Sequence, residues 1–237
     1  MNRIPAMICA CLASFSLLGC QQEQAPAEPA VVRSFLAGYE EEHRSNRLLL
    51  NLMEDGTAEY YVGTLENGTH TTARSSTTYT LGENADFDET IRFTNHDGTT
   101  TDAVIVDAVF EIDGIRFYET APAAMDGDVY VGYLSKTSGM GPMTYAYALC
   151  LRDDATFDVS ITQMASVMHV WGATGGTYQA NSDGITFTYD ILTDEGELVA
   201  ASAIAEGIGF NGTTLTAAFN IQQNTMRASN ARFINVN

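Results

Sequence analysis

From about residue 34 onward the chain repeats itself at a nearly constant interval, and this duplication constrains the fold more than any other feature. "DGTAEY" begins at Asp55 and "DATFDV" at Asp154, an offset of 99 (154 − 55). "TTYTLGEN" begins at Thr77 and "GTYQANSD" at Gly176, again 99 (176 − 77). "IDGIRF" at Ile112 and "FNGTTL" at Phe210 are 98 apart (210 − 112). The glycines of "AGYE" and "VGYL", Gly38 and Gly132, are 94 apart (132 − 38). Four matches in the same order imply two diverged copies, residues 34–124 and 125–237, with the changeover between 121 and 128. A cut there is expected to leave two separately folded pieces.

Each copy reads as β throughout. Phe157, Val159 and Ile161 alternate with Asp158 and Ser160, the period of a strand with one buried face. "RLLLNLMEDGTAEYYVG" and "YAYALCLRDDATFDVSI" each place two apolar-rich runs around an acidic turn. Asp113-Gly114 and Asn211-Gly212 suit a two-residue hairpin turn, because both central residues of a type I′ turn need positive φ. One segment is ambiguous: Met164, Val167, Met168 and Trp171 fall at helical spacing, and a continued strand fits the same residues. Each copy then holds about six to eight short antiparallel strands, and a meander of that length hides its edges best by closing into a barrel.

The order of elements resembles the lipocalin-like (calycin-type) domains of bacterial lipoproteins. It runs as a Gly-Tyr strand, an acidic hairpin, a Thr-Thr-Tyr or Gly-Thr-Tyr strand, then Ile91-Arg92-Phe93 or Ile185-Thr186-Phe187. The resemblance implies an all-β chain of two tandem antiparallel up-and-down barrels. A copper-associated lipoprotein in that circle carries a CxxC motif; this chain has none, so no metal role carries over.

The N-terminus reads as a leader and an anchor. Arg3 supplies a positive start, and Ile4 to Leu18 is an apolar run broken only by Pro5, Ser14 and Ser16. That run is shorter than the roughly 20 apolar residues of a spanning helix. Leu17-Leu18-Gly19-Cys20 resembles the lipobox of bacterial lipoproteins. The resemblance implies a signal peptide over residues 1–19, cleavage before Cys20 and acylation of that residue, giving durable attachment to a bilayer. "QQEQAPAEPAVVR" follows, a Pro- and Ala-rich stretch that cannot build a core, so residues 20–33 serve as lipidated cysteine and spacer. The protein is expected in the cell envelope, facing outward or into the periplasm.

The formal net charge is −19, or −20 once Arg3 leaves with the leader, which argues against nucleic acid and against lying flat on anionic lipid. Of four cysteines, Cys9 and Cys11 belong to the leader and Cys20 to the lipid. Cys150 remains, and no intramolecular disulfide is expected.

Two candidate sites stand out. Strand pairing around Asp153 brings Met143 near Met164, so Met140, Met143, Met164, Met168 and Trp171, with His169, could gather at one end of the second copy. Such a group fits three readings: gap-filling core, an adaptable mouth for an apolar ligand, or a soft-metal site. The first copy carries five extra residues in "GENADFDET", where Asn84, Asp86, Asp88 and Glu89 resemble the start of an oxygen-rich cation loop. The EF-hand glycine and twelfth-position glutamate are missing, their places taken by Glu89 and Asn95, so a solvated acidic turn is the competing reading. No GxSxG, HExxH or phosphate loop occurs, and no cofactor is implied. The sequence therefore points to a non-enzymatic, membrane-anchored lipoprotein. It is expected to bind a small apolar ligand through its barrels or, alternatively, an envelope protein through their rims.

Overall fold

The structure is a computed structural model that describes residues 29–138, 141–165, 168–181, 184–189, 214–220, 225–228 and 231–237. These residues form sixteen strands. In the first copy they are β1 (Val31–Glu41), β2 (Arg44–Met53), β3 (Thr57–Glu66), β4 (Thr69–Glu83), β5 (Glu89–Thr94), β6 (Thr100–Ile105), β7 (Val109–Ile112) and β8 (Ile115–Thr120). In the second they are β9 (Asp128–Ser138), β10 (Gly141–Leu151), β11 (Thr156–Ala165), β12 (Met168–Asn181), β13 (Gly184–Tyr189), β14 (Thr214–Asn220), β15 (Thr225–Ala228) and β16 (Ala231–Asn235). Both copies are up-and-down antiparallel meanders. The second closes completely, with β16 pairing to β9. The first runs β6-β5-β4-β3-β2-β1-β8-β7 and is joined across its seam by the single bridge Val106–Val109. Met164 ends β11 opposite His169 of β12, and Met168 and Trp171 also lie in β12, so the described members of the helically spaced set are strand residues; Val167 lies outside the described residues.

The duplication extends to individual hydrogen bonds. Thr57 donates its N–H to Asp55 Oδ1 and Thr156 to Asp154 Oδ1, each at 2.9 Å. Tyr79 donates its N–H to the Gly56 carbonyl and Tyr178 to that of Ala155, again at 2.9 Å. The Tyr79 hydroxyl reaches the Met53 carbonyl at 3.0 Å, and Tyr178 reaches that of Arg152 at 2.7 Å. Every donor and acceptor moves by 99 positions. At the Gly56 position the second copy has Ala155, which at φ 64 holds the left-handed conformation that Gly56 adopts at φ 84.

One of the four sequence matches shifts by register. The β1–β2 ladder pairs Gly38 with Arg47 and the β9–β10 ladder pairs Ala146 with Tyr133. Since 146 − 47 = 99, the partner of Gly38 in the repeat is Tyr133, one residue past Gly132. A one-residue slip reverses the face of a strand. Accordingly Gly132 lies against Phe233 inside the second barrel, while Gly38 lies on the outside of the first. Asp113-Gly114, with φ 51 and 79, turns β7 into β8. Its counterpart by topology is the connection between β15 and β16; Asn211-Gly212 precede β14 and lie outside the described residues.

Three buried clusters account for the packing. Inside the first barrel Phe35, Phe93, Phe110 and Phe117 meet Leu50, Leu52, Ile91 and Ile105. Phe110 stacks on Phe117 at 4.9 Å and meets Phe35 edge-on at 5.0 Å. Inside the second, Tyr145, Tyr147, Phe157, Phe187 and Phe233 pack with Leu149, Val159 and Ile161. The third cluster lies between the barrels. Leu36, Leu49 and Tyr61 from the first meet Val129, Val131, Ala146, Ala148, Cys150 and Val236 from the second, with Ala123 from the connection. The outer faces of β1–β3 and of β9, β10 and β16 are thus apolar as well as the inner ones, the two-sided burial that continuous runs such as "LLLNL" and "YALCL" require. A cut between 121 and 128 would leave this third cluster in place, and pulling the copies apart would expose it.

Candidate functional site

The methionine group divides between the two faces of its sheet. Met143 is buried inside the second barrel, where the Tyr145 hydroxyl lies 4.0 Å from its sulfur. Met164 pairs with His169, and Thr162 with Trp171, on the opposite face of β11 and β12 from the interior residue Ile161. Met168 occupies the register position opposite Ala165, and Met140 lies outside the described residues. His169 makes a 2.7 Å hydrogen bond with Thr162 Oγ1 through Nε2, and its ring lies tilted against that of Trp171 with centroids 4.7 Å apart. Burial holds its imidazole below the ordinary pKa, against the opposing pull of Glu119 and Asp107. Thus Met143 faces a packed interior, while Met164, His169 and the half-exposed Trp171 form an outer patch.

The acidic loop uses its oxygens on itself. Asp86 and Asp88 donate their backbone N–H groups to Asn84 Oδ1 at 2.9 and 3.0 Å, and Asn84 Nδ2 donates to Asp88 Oδ2 at 3.0 Å. Glu89 turns away to Arg33, 2.6 Å from Nη1, while Glu119 grips the same guanidinium with both oxygens at 2.7 Å. Those two carboxylates raise the Arg33 pKa, although burial pulls it down. Among the described residues no three His, Cys, Asp or Glu side chains converge as a metal set.

Cys150 is buried in the inter-barrel cluster, and its thiol donates weakly to Asp126 Oδ1 at 3.5 Å. Burial first, and the Asp126 carboxylate second, push its pKa up to about 12, which keeps it protonated and unreactive.

The sequence reading missed the polar end of the inter-barrel contact. Arg47, 1% exposed, projects from β2 into that interface. It donates to Glu40 Oε1 at 2.5 Å and to the Asn46 and Arg232 carbonyls at 2.9 and 3.3 Å, and its guanidinium lies 5.7 Å from the Tyr133 ring centre. Tyr133 in turn fills the space left by Gly38, where a Cβ would come within 2.7 Å of its ring. The available signal was an arginine and an asparagine, Arg47 and Asn51, on either side of Leu49 on the second face of β2.

Two open cavities are evident. One of about 590 Å³ lies where β1–β3 meet the segment connecting the two barrels, lined by Val31, Met53, Tyr61 and Met125 with Glu59, Arg74 and Asp126. Another of about 630 Å³ lies along β4–β6, lined by Thr80, Glu83, Asn84, Arg92, Asp102 and Val104. Its two central charges already pair, Arg92 with both oxygens of Asp102 at 2.6 and 2.8 Å. Among the described residues no helix is long and apolar enough to cross a membrane. Comparison with protein-family models, curated proteins and solved structures finds no match to this chain.

Proposed function

We propose that this protein is a lipid-anchored, non-enzymatic envelope protein whose paired barrels present their surface to a protein partner. The observation that carries the reading is the state of the interiors. Eight strands leave room for packed side chains or for one small ligand. In the first barrel a chain of aromatic contacts, Phe35–Phe110–Phe117 and Phe93–Phe110, takes up that room. Tyr145, Tyr147, Phe157 and Phe187 do the same in the described part of the second. Filled barrels joined by a buried third cluster make a rigid body suited to surface recognition. The anchor is supported by Leu17-Leu18-Gly19-Cys20 and by the short Pro- and Ala-rich stretch before β1.

Carriage of a small apolar ligand is the second reading, and the cavity beside β1–β3 with Met53 and Met125 is what favours it. Membrane fractionation of wild type and Cys20→Ser tests the anchor: the variant should appear in the soluble envelope fraction, and retention on the membrane would refute it. In-cell crosslinking of wild type tests the partner. A discrete adduct of constant mass is expected, and a chain that stays monomeric at every crosslinker dose would refute partner binding.

A further inference from the structure

The β4–β5 hairpin ends in a feature that folding does not explain. Phe87 is 85% exposed, against 54% for Val106, the next most exposed large apolar side chain among the described residues. Its φ is +65, in the left-handed region where a bulky residue is strained and Gly or Asn would sit without cost. The surrounding backbone is closed. Asn84 exchanges main-chain bonds at the loop base, donating to the Asp88 carbonyl at 3.0 Å and accepting from the Phe87 N–H at 3.2 Å. Its side chain binds the Asp86 and Asp88 amides, and Arg33 pins Glu89 just below. The matching strands of the second barrel pair across a shorter span. Tyr79 to Phe93 spans 14 positions and pairs directly, whereas Tyr178 to Phe187 pairs across 9, so the first copy inserts five residues here.

We infer that the Phe87 tip is the anchor by which this protein grips its partner, inserting the ring into an apolar pocket rimmed by Lys or Arg. The inference rests on the partner-binding reading above and names the surface that serves it. An exposed aromatic on a stiff support is what a binding hot spot requires, because the ring loses little freedom on docking. Strain kept at an exposed position indicates a function that outweighs its cost. Asp86 and Asp88 flank the ring and remain exposed, so the rim they meet must be basic. The same carboxylates disfavour insertion into anionic lipid. The groove of about 630 Å³ that starts at Glu83 and Asn84 gives the partner a second surface beside the tip.

The test places a photoreactive benzoyl-phenylalanine at position 87 of the full chain in its own cells, with Val106 and Trp171 carrying the same probe in parallel. The expected result is one discrete protein adduct at 87, mapping beside Lys or Arg. Its yield should fall about tenfold when Asp86→Lys and Asp88→Lys are added. With the general in-cell crosslinker in place of the photoprobe, Phe87→Gly should lose the partner adduct while its melting temperature holds or rises. Adducts at 106 or 171 but not at 87 would overturn the tip and leave partner binding intact. Phospholipid adducts alone at 87 would overturn it in favour of a bilayer contact. No adduct at any of the three positions would overturn both readings. A fall in melting temperature for Phe87→Gly with partner capture unchanged would make the tip a folding element only.

Discussion

Replacing Gly63 by alanine should damage this protein although it adds a single methyl group in a strand. Gly63 lies on β3, and a Cβ there would sit 2.1 Å from the Asn235 carbonyl oxygen and 3.0 Å from Ile234 Cγ2, both on β16 of the other barrel. Ordinary contact is about 3.5 Å, so the barrels must part by more than about 1 Å or the strands must shift. The oxygen cannot yield freely, because His70 Nε2 lies 2.9 Å from it. Separation of that size forfeits a quarter to a half of each dispersion contact it opens, and the contacts concerned include Leu36, Leu49 and Tyr61 against Val131 and Val236. The expected cost is about 3 kcal/mol, the upper end for overpacking. In a domain pair of this size it should lower the melting temperature by roughly 6 to 12 °C. Urea and thermal unfolding of residues 21–237, followed by circular dichroism, would measure it. Gly82→Ala is the control, since its Cβ would meet only Thr90 Oγ1 at 3.3 Å. In an open strand, glycine to alanine commonly stabilises by about 0.5–1 kcal/mol. If Gly63→Ala behaved that way, the inter-barrel packing described here would be wrong.

Three further outcomes follow from named groups. Ala155→Gly should stabilise by about 1 kcal/mol in urea unfolding, because it relieves a left-handed alanine in the turn where the first copy has Gly56; a loss of stability would refute the strain. Cys150 should resist thiol reagents at pH 8 until the protein unfolds, since its pKa is pushed up to about 12; labelling of the folded protein within minutes would contradict its burial. Burial raises the pKa of Glu40, but hydrogen bonds from Ser45 and Arg47 outweigh it and hold the group below its ordinary 4.5. A depressed folded pKa contributes stability that is full above the unfolded value and lost as pH falls through the folded one. Acid unfolding of wild type should therefore steepen below about pH 4.5, and Glu40→Gln should lose that part of the pH dependence; an unchanged slope would refute the role of the pair.

Much of the fold was legible because both strand faces leave a mark in sequence. The alternation of Phe157, Val159 and Ile161 gave a strand, and the turn Asp113-Gly114 a hairpin whose φ angles are both positive. The duplication was visible at Asp55 and Asp154 because side chains there cap turns that tolerate little else. It was misread at Gly38 and Gly132, since a glycine match carries no information about which face it lies on. The inter-barrel core was hidden for a related reason: Leu49 between Leu48 and Leu50 reads as one apolar run, and only pairing reveals that alternate members serve different cores. The methionines looked like a site because their spacing in the chain was short, but pairing put Met143 and Met164 on opposite faces of the sheet.

The filled interiors carry the functional reading, and native mass spectrometry of residues 21–237, exported without the lipid and purified without detergent, tests them most directly. The bare chain mass is expected, with Phe35, Phe93, Phe110 and Phe117 in the first barrel and Tyr145, Tyr147, Phe157 and Phe187 in the described part of the second occupying the space a ligand would need. A stoichiometric organic adduct that survives desalting would contradict it and make the protein a carrier.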